Sequence, residues 1–448
     1  MTFTHWLPDQ PEHAGPLPNA VDMVVIGAGI IGVSAAIYMA RAGKRVLVLE
    51  KGRVGAEQST RNWGWIRTQG RDPDEIPISL ESRRLWAELD QDCNGKLGIS
   101  TVGVTYLAKT AKSRASYEEW LSSAEGHPEL DSKMLSRKEL RALMPHAGDH
   151  WVGALHTASD MRGEPWQAVP ALARLAAREG VVIREETAVR ALETTGGRVS
   201  GVMTEHGPVR AEQVVLAGGA WSALFLRNHG HSIPQLSVRC TVLATEPTPD
   251  VQAGAAVDNR FAWRRRDDGA YTLAPSAYAE LFLGPDAVRA APSYLNLLQS
   301  GGFQVVLRPW APKGYPDAWG TPRRWAKNDV SPFERCRILD PEPSAKKVRE
   351  LPEQFAEAFP GQAKPKVARA WAGMIDVMPD VVPVVDHVPG LSGLIVATGM
   401  CGHGFGIGPA FGRIIADMAA DRPVGHDMSR FRYGRFSDGS PLRPGPNL

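Results

Sequence analysis

Met23-Val-Val-Ile-Gly-Ala-Gly-Ile-Ile-Gly32 and, after a helical pattern, Arg45-Val-Leu-Val-Leu-Glu50 decide the fold of this chain. Met23 to Ile26 is a β-branched run that breaks at Gly27-x-Gly29-x-x-Gly32. Apolar spacing from about Ile30 to Ala42 predicts a helix, and Gly43 stands where a helix-ending glycine belongs. Arg45 to Leu49 reads as a second buried strand. Strand, glycine turn, helix, strand and acid in this order predict a βαβ unit. The first glycine permits the tight turn, the second lets a pyrophosphate approach the backbone, and the third lets helix pack on strand. Amides at the helix start would hold the phosphates.

Glu50 stands 18 residues after Gly32, at a strand end, where a carboxylate can accept from both ribose hydroxyls. An acid there disfavours a 2′-phosphate, so the fingerprint predicts FAD or NAD rather than NADP. It does not separate those two.

Outward from this unit, Trp166 to Glu179 reads as a helix, followed by strands at Val181-Val-Ile183, Ala188-Val189 and Val214-Val-Leu216, the last running into Gly218-Gly219. Gly393-Leu-Ile-Val-Ala397 is a further buried strand, and a helix is expected over Pro409 to Ala420. Between these pieces lie short alternating runs such as Ala270-Tyr-Thr-Leu273 and Gln304-Val-Val-Leu307. The pattern predicts an α/β chain whose dinucleotide-binding domain is assembled from residues 20–95, 155–236 and 373–435. A β-rich substrate domain, 96–154 and 237–372, is inserted.

The chain has 448 residues, 43% hydrophobic and 22% charged, long enough for about three domain-sized units. A net charge of +2 gives no field that argues for nucleic acid or an anionic membrane. The 45 glycines and 35 prolines imply many tight turns. Cys93, Cys240, Cys336 and Cys401 are far apart, which excludes a disulfide framework and points to a reducing compartment, the cytoplasm. Met1 to Ala20 carries four prolines and no lysine or arginine, unlike a secretory signal. Met23 to Ala42 is apolar, but its close-spaced glycines argue against a membrane span. His146, His150 and His156, and likewise His229 and His231, lack paired ligands at usable spacing, so no metal site is expected. Arg264-Arg-Arg266 before Asp267-Asp268-Gly269 reads as a solvated hairpin approach.

Four further segments carry a resemblance: Glu57-Gln-Ser-Thr60-Arg61-Asn62-Trp63-Gly64-Trp65, Val214 to Ser222, Trp371-Ala-Gly-Met374-Ile-Asp-Val-Met-Pro379-Asp380, and Gly399 to Gly412. Together and in this order they resemble the D-amino acid oxidase, glycine oxidase and sarcosine oxidase family of FAD-dependent amine oxidoreductases. The resemblance implies a Rossmann-type FAD-binding domain with an inserted β-rich substrate domain. The implied activity is oxidation of the C–N bond of an amino acid or N-substituted amino acid to an imine, by hydride transfer to flavin, followed by hydrolysis. A 2-hydroxy acid or plain amine as substrate, or an electron-relay subunit of a multi-subunit dehydrogenase, are the alternatives.

Roles follow for matching positions. The FAD site would comprise Gly27, Gly29, Ile30, Ile31, Gly32, Glu50 and Lys51. The flavin loop would add Ser59, Thr60, Arg61, Asn62 and Trp63, and the adenine and middle contacts Ala188, Val189, Gly218, Trp221 and Met374. Gly402, His403, Gly404, Phe405, Gly406 and Ile407 would set amides at the flavin pyrimidine edge, where their dipoles stabilise a reduced anion. Trp63 or Trp65 would wall the substrate pocket.

Arg67 would hold a substrate carboxylate in a bidentate fork, and His403 is a second candidate for a chemical role. Two departures from the family pattern carry weight. No cysteine occupies Trp371-Ala-Gly373, so FAD is expected to be non-covalent. No lysine occurs in Gly269 to Leu273, which leaves O2 and a quinone or carrier both open as electron acceptor.

Overall fold

The computed structural model describes residue 7, residues 10–299 and residues 304–446. Of the proline-bearing lead-in at 1–20, residues 1–6, 8 and 9 lie outside the described residues. One sheet is built around the βαβ unit. Its strands are β1 (Met23–Ile26), β2 (Val46–Leu49), β3 (Val182–Arg184), β4 (Gln213–Leu216), β5 (Val384–His387) and β6 (Leu394–Thr398). The order is β5-β6-β4-β1-β2-β3, all parallel except β5, which runs antiparallel to β6. In register, Val25 lies between Val48 and Val215.

Both faces of this sheet are covered, which is why its strands read as unbroken apolar runs rather than alternating ones. Val25 and Val48 pack on one face with Val33, Ile37, Phe411 and Ile414. Val24, Leu47 and Val214 point the other way, against Val202, Leu224 and Phe225. The helices on the first face are α1 (Ile30–Arg41), α2 (Ile76–Asp92), α3 (Pro165–Arg178) and α4 (Gly404–Ala419). Helix α1 ends as its sequence predicts: Gly43 has φ +79°, and the Lys44 amide donates back to the Met39 carbonyl.

Glycines set how close α1 and α4 come. A Cβ at Gly408 would lie 2.6 Å from Ile30 Cγ1, and one at Gly412 2.5 Å from Ser34 Cβ. That crossing draws the N-termini of the two helices toward one cavity. Helix α4 begins five residues before the expected Pro409, at Gly404. Pro409 therefore sits inside the helix, where it cannot donate to the carbonyl one turn back. Nearby, Ser82 Oγ and Trp86 Nε1 of α2 both donate to Gly406 O.

The second sheet has ten strands. It runs from Gln304–Arg308 through Tyr278–Phe282, Leu236–Thr245, Tyr271–Pro275, Phe261–Arg265, Ala255–Val257 and Val104–Ala108 to Gly153–Thr157 and Ser132–Ser136. The strand Val367–Val377 lies antiparallel along Leu236–Thr245, with Gly373 opposite Cys240. This strand spans the boundary expected at 372, and Gly153–Thr157 spans that expected at 154. Among the described residues no helix is long and apolar enough to cross a membrane.

Candidate active site

A cavity of about 930 Å³ runs from the glycine turn to the second sheet. At its first end the wall is backbone. Gly27 has φ +105°, and a Cβ there would lie 2.5 Å from Ala217 O. A Cβ at Gly29 would come within 2.9 Å of Ser59 Oγ, the oxygen that accepts from the Ile30 amide. No side chain of the preceding residues caps α1, which leaves first-turn amides for an anion. Gly32 lies behind the wall, where a Cβ would fall 2.0 Å from Gly27 O. Its role is helix-on-strand packing, as the fingerprint requires.

Glu50 lines the cavity and also organises it: Oε2 accepts from the Ala28 amide at 2.9 Å and Oε1 from Gly52 at 2.8 Å. Burial raises its pKa.

The other expected cofactor contacts divide into two groups. Ile30, Ile31, Lys51, Ser59, Arg61, Asn62, Trp63, Val189, Gly218, Trp221, Gly402, Gly404 and Phe405 line the cavity with Gly27, Gly29 and Glu50. Thr60, Ala188, Met374, Gly406 and Ile407 do not. Thr60 Oγ1 donates to Gly55 O, and the Ala188 amide donates to Glu205. Met374 packs into the core under the sheet, because the pleat turns Gly373 and Ile375 toward the cavity and Met374 away. Gly406 and Ile407 are buried inside α4.

Two of the lining cations already have protein partners. Lys51 Nζ binds Glu57 and the carbonyls of Cys336 and Arg337. Arg61 clamps Ala56 O, Asp340 and Ala372 O.

At the far end the wall is side chains. Trp63 and Trp65 meet edge to face at 5.3 Å. The backbone behind Trp63 is pinned by Arg264, which is wholly buried, donates to Trp63 O at 2.6 Å and forms a two-point pair with Glu164 at 2.9 and 3.0 Å. The expected solvated hairpin is thus wrong at Arg264 and at Arg266, both buried. Glu164 provides the partner that burial of Arg264 demands, while Arg266 pairs with Asp268 and lies over the Trp166 ring.

Arg67 lines the cavity with its guanidinium carbon 5.5 Å from the Tyr106 ring and donates to Gln69 O. Arg71, four residues on, is also on the wall and buried, with Nη1 unpaired. Burial, and then the charge of Arg67, lower its pKa to about 10, so it stays a cation at neutral pH. Asp160 anchors this loop by accepting from the Thr68 and Gln69 amides, and burial raises it to about 6.

Across from the arginines, His403 precedes α4, its Nδ1 3.3 Å from Glu75 Oε2. Burial, then the Arg71 charge, push its pKa down to about 4, so the imidazole is neutral at pH 7. Glu75 has no exposed side-chain surface. Burial pushes its pKa up, but His403 and the Arg71 and Arg67 charges bring it below the ordinary carboxylate range.

Sequence reasoning named Arg67 and His403 and missed Arg71, Glu75 and Tyr106. The repeat of arginine at four-residue spacing was a signal available for Arg71. Nothing in sequence marks Glu75, which looks like any acid before a helix.

Residues 22–418 match the family model for FAD dependent oxidoreductase (DAO), and the chain belongs to this family. The backbone cradle at Gly27 and Gly29, with Glu50 at the strand end, fits its FAD. The chain is 25% identical to glycine oxidase of Pseudomonas aeruginosa, over 89% of this chain and 95% of that one. It is 23% identical to sarcosine oxidase subunit beta of Rhodobacter capsulatus, over 95% and 92% of the two chains. Among solved structures, L-amino acid deaminase from Proteus myxofaciens in complex with anthranilate superposes with a TM-score of 0.90. It shares 28% identity, with 95% and 96% of the two chains covered.

Proposed function

We propose that this FAD-dependent oxidoreductase oxidises the C–N bond of an amino acid or N-substituted amino acid to an imine that water hydrolyses. The observation that carries this reading is the pair of guanidiniums, Arg67 and Arg71, on one wall of the cavity that also holds the flavin-site residues. Two adjacent cations with unspent hydrogen-bonding capacity suit a carboxylate. A plain amine leaves them uncompensated. The similarity to an L-amino acid deaminase and a glycine oxidase supports the same substrate class. FAD, when bound, supplies the two-electron acceptor for the substrate's α-hydrogen. The chain supplies the rest: Arg67 and Arg71 orient the substrate, Trp63 and Trp65 exclude water, and α4 directs its N-terminal dipole at the cofactor end.

The FAD is held non-covalently in this reading. No cysteine occupies Trp371-Ala-Gly373, where the family resemblance would place an attaching one. The two cysteines on the cavity wall are poor nucleophiles, because burial pushes the Cys240 thiol up to about 12 and Cys401 well above its usual range. The electron acceptor is O2 or a quinone or carrier, and the strand Tyr271–Pro275 offers no lysine to speed the first. Four free cysteines at wide spacing support a reducing, cytoplasmic setting.

Arg67→Ala tests the substrate reading. It should keep its FAD and lose about 2–5 kcal/mol of kcat/KM on amino acids, the scale of breaking a desolvated charge pair. Arg67→Lys should recover part of this, since a point charge does not reproduce the fork. Equal kcat/KM for parent and Arg67→Ala on amino acids and on carboxylate-free amines would make a plain amine the leading substrate.

A further inference from the structure

The cavity holds one charge that carboxylate recognition leaves unused. Glu75 lines it, has no solvent exposure, and neither of its carboxylate oxygens has a hydrogen-bond partner among the described residues. Its nearest polar neighbour is His403 Nδ1 at 3.3 Å, itself without a hydrogen-bond partner of good geometry. No ion pair joins Glu75 to Arg67 or Arg71 among the described residues. A carboxylate is retained in such a place only against a partner, because an isolated buried charge neutralises instead. The charges of Arg71 and Arg67 act on Glu75 through space, but no donor from them reaches its oxygens among the described residues, so the open place is that of a donor arriving from the cavity. On the same wall, no carboxylate pairs with Arg67 or Arg71 at contact distance among the described residues. A zwitterion with its two ends a few ångströms apart answers both deficits at once.

We propose that Glu75 holds the amino group of the substrate and takes the proton that an ammonium must lose before its α-hydrogen can leave with the bonding pair. The substrate carboxylate first compensates Arg67 and Arg71, whose charges otherwise hold Glu75 low, so that burial then makes it a better proton acceptor. One N–H bond breaks and one O–H bond forms on Glu75. The electron pair stays on nitrogen, and nothing is oxidised or reduced. The freed lone pair then favours departure of the α-hydrogen as hydride, which a protonated amine cannot assist. His403, neutral, positions Glu75 through its Nδ1 side. The titratable and charged groups around Glu75 are His403 ahead of α4, Arg67, Arg71 and Asp72 on its own loop, and Cys401 in the turn before His403. The proposal rests on the amino-acid reading above.

The test uses the holoenzyme, its Glu75→Gln variant, and two ligands that cannot be oxidised. One is an α,α-disubstituted amino acid, which has no α-hydrogen. The other is the same carboxylic acid without its amino group. The parent should bind the amino acid at least about tenfold more tightly than the des-amino acid at neutral pH. Glu75→Gln should erase that preference while binding the des-amino acid as well as before. With a reactive substrate, Glu75→Gln should lose about 10² in kcat/KM at pH 7 and regain about tenfold per pH unit toward the amine pKa, where the free amine becomes abundant.

The parent's profile should be flat over the same range. If Glu75→Gln does not retain FAD, Glu75→Asp carries the test. It keeps the charge, so it should keep the binding preference and lose kcat. An amine preference and pH profile unchanged in Glu75→Gln would overturn the proposal, as would loss of both ligands by one common factor. For Glu75→Asp, a lost preference would do the same. Equal binding of the two ligands by the parent overturns this inference alone, whereas binding of neither overturns the amino-acid reading itself.

Discussion

The two ends of the cavity are built on opposite principles. At the nucleotide end the contacts are backbone, and the side chains there are already paired: Glu50 with the Ala28 and Gly52 amides, Lys51 with Glu57, Arg61 with Asp340. At the substrate end the backbone recedes and charged side chains face inward with bonds unmade, above all Arg71 Nη1 and both oxygens of Glu75. The first end is a finished mould for one ligand that stays. The second keeps unsatisfied groups, which cost stability in the empty protein and are repaid when a polar ligand enters. Such strain requires support from outside the cavity, and the Arg264–Glu164 pair behind Trp63 provides it.

Breaking that support should give the largest effect. Arg264→Ala strips buried Glu164 of its two-point partner, leaving it only Arg162 and the Asp267 amide, and should cost about 3–5 kcal/mol of stability, read as a lowered midpoint in urea. Replacing both partners, Arg264→Met with Glu164→Leu, should restore much of it. A midpoint in Arg264→Ala equal to the parent's would show that the far wall stands without the pair.

A smaller effect is expected at the finished end. Glu50→Ala removes the carboxylate that accepts from the Ala28 and Gly52 amides and would hold the ribose, and should weaken FAD by about 1.5–3 kcal/mol, tens- to hundreds-fold in Kd. Unchanged FAD retention in Glu50→Ala would mean that the backbone cradle alone holds the nucleotide, and would sharpen the contrast between the two ends.

The same contrast explains what was legible in sequence. Gly27, Gly29 and Gly32 are forced by backbone geometry within a few residues, so their spacing alone predicts the turn, the helix and the ligand class. Glu50 follows from its strand end. The discontinuous assembly was readable because each buried parallel strand, such as Val214–Leu216 or Leu394–Ala397, is a short apolar run ending in glycine or at a helix start. Arg264 and Arg266 were misread because three successive arginines look solvated, whereas the first is buried against Glu164 and the third against Asp268 and Trp166. The α4 start was misplaced because proline usually opens a helix, whereas here Pro409 lies inside its second turn, the helix having begun at Gly404. Glu75 was invisible because its meaning lies in His403, more than three hundred residues away.

Whether this cavity oxidises amino acids held by their carboxylate is read by adding amino acids and matched carboxylate-free amines, one at a time and without oxygen, to the FAD-loaded protein and following the visible flavin absorbance. One or more amino acids or N-substituted amino acids should bleach the flavin, and the matched amines should not. Bleaching by the amines alone, by both series equally, or by no amino acid at all would rule out carboxylate-held oxidation.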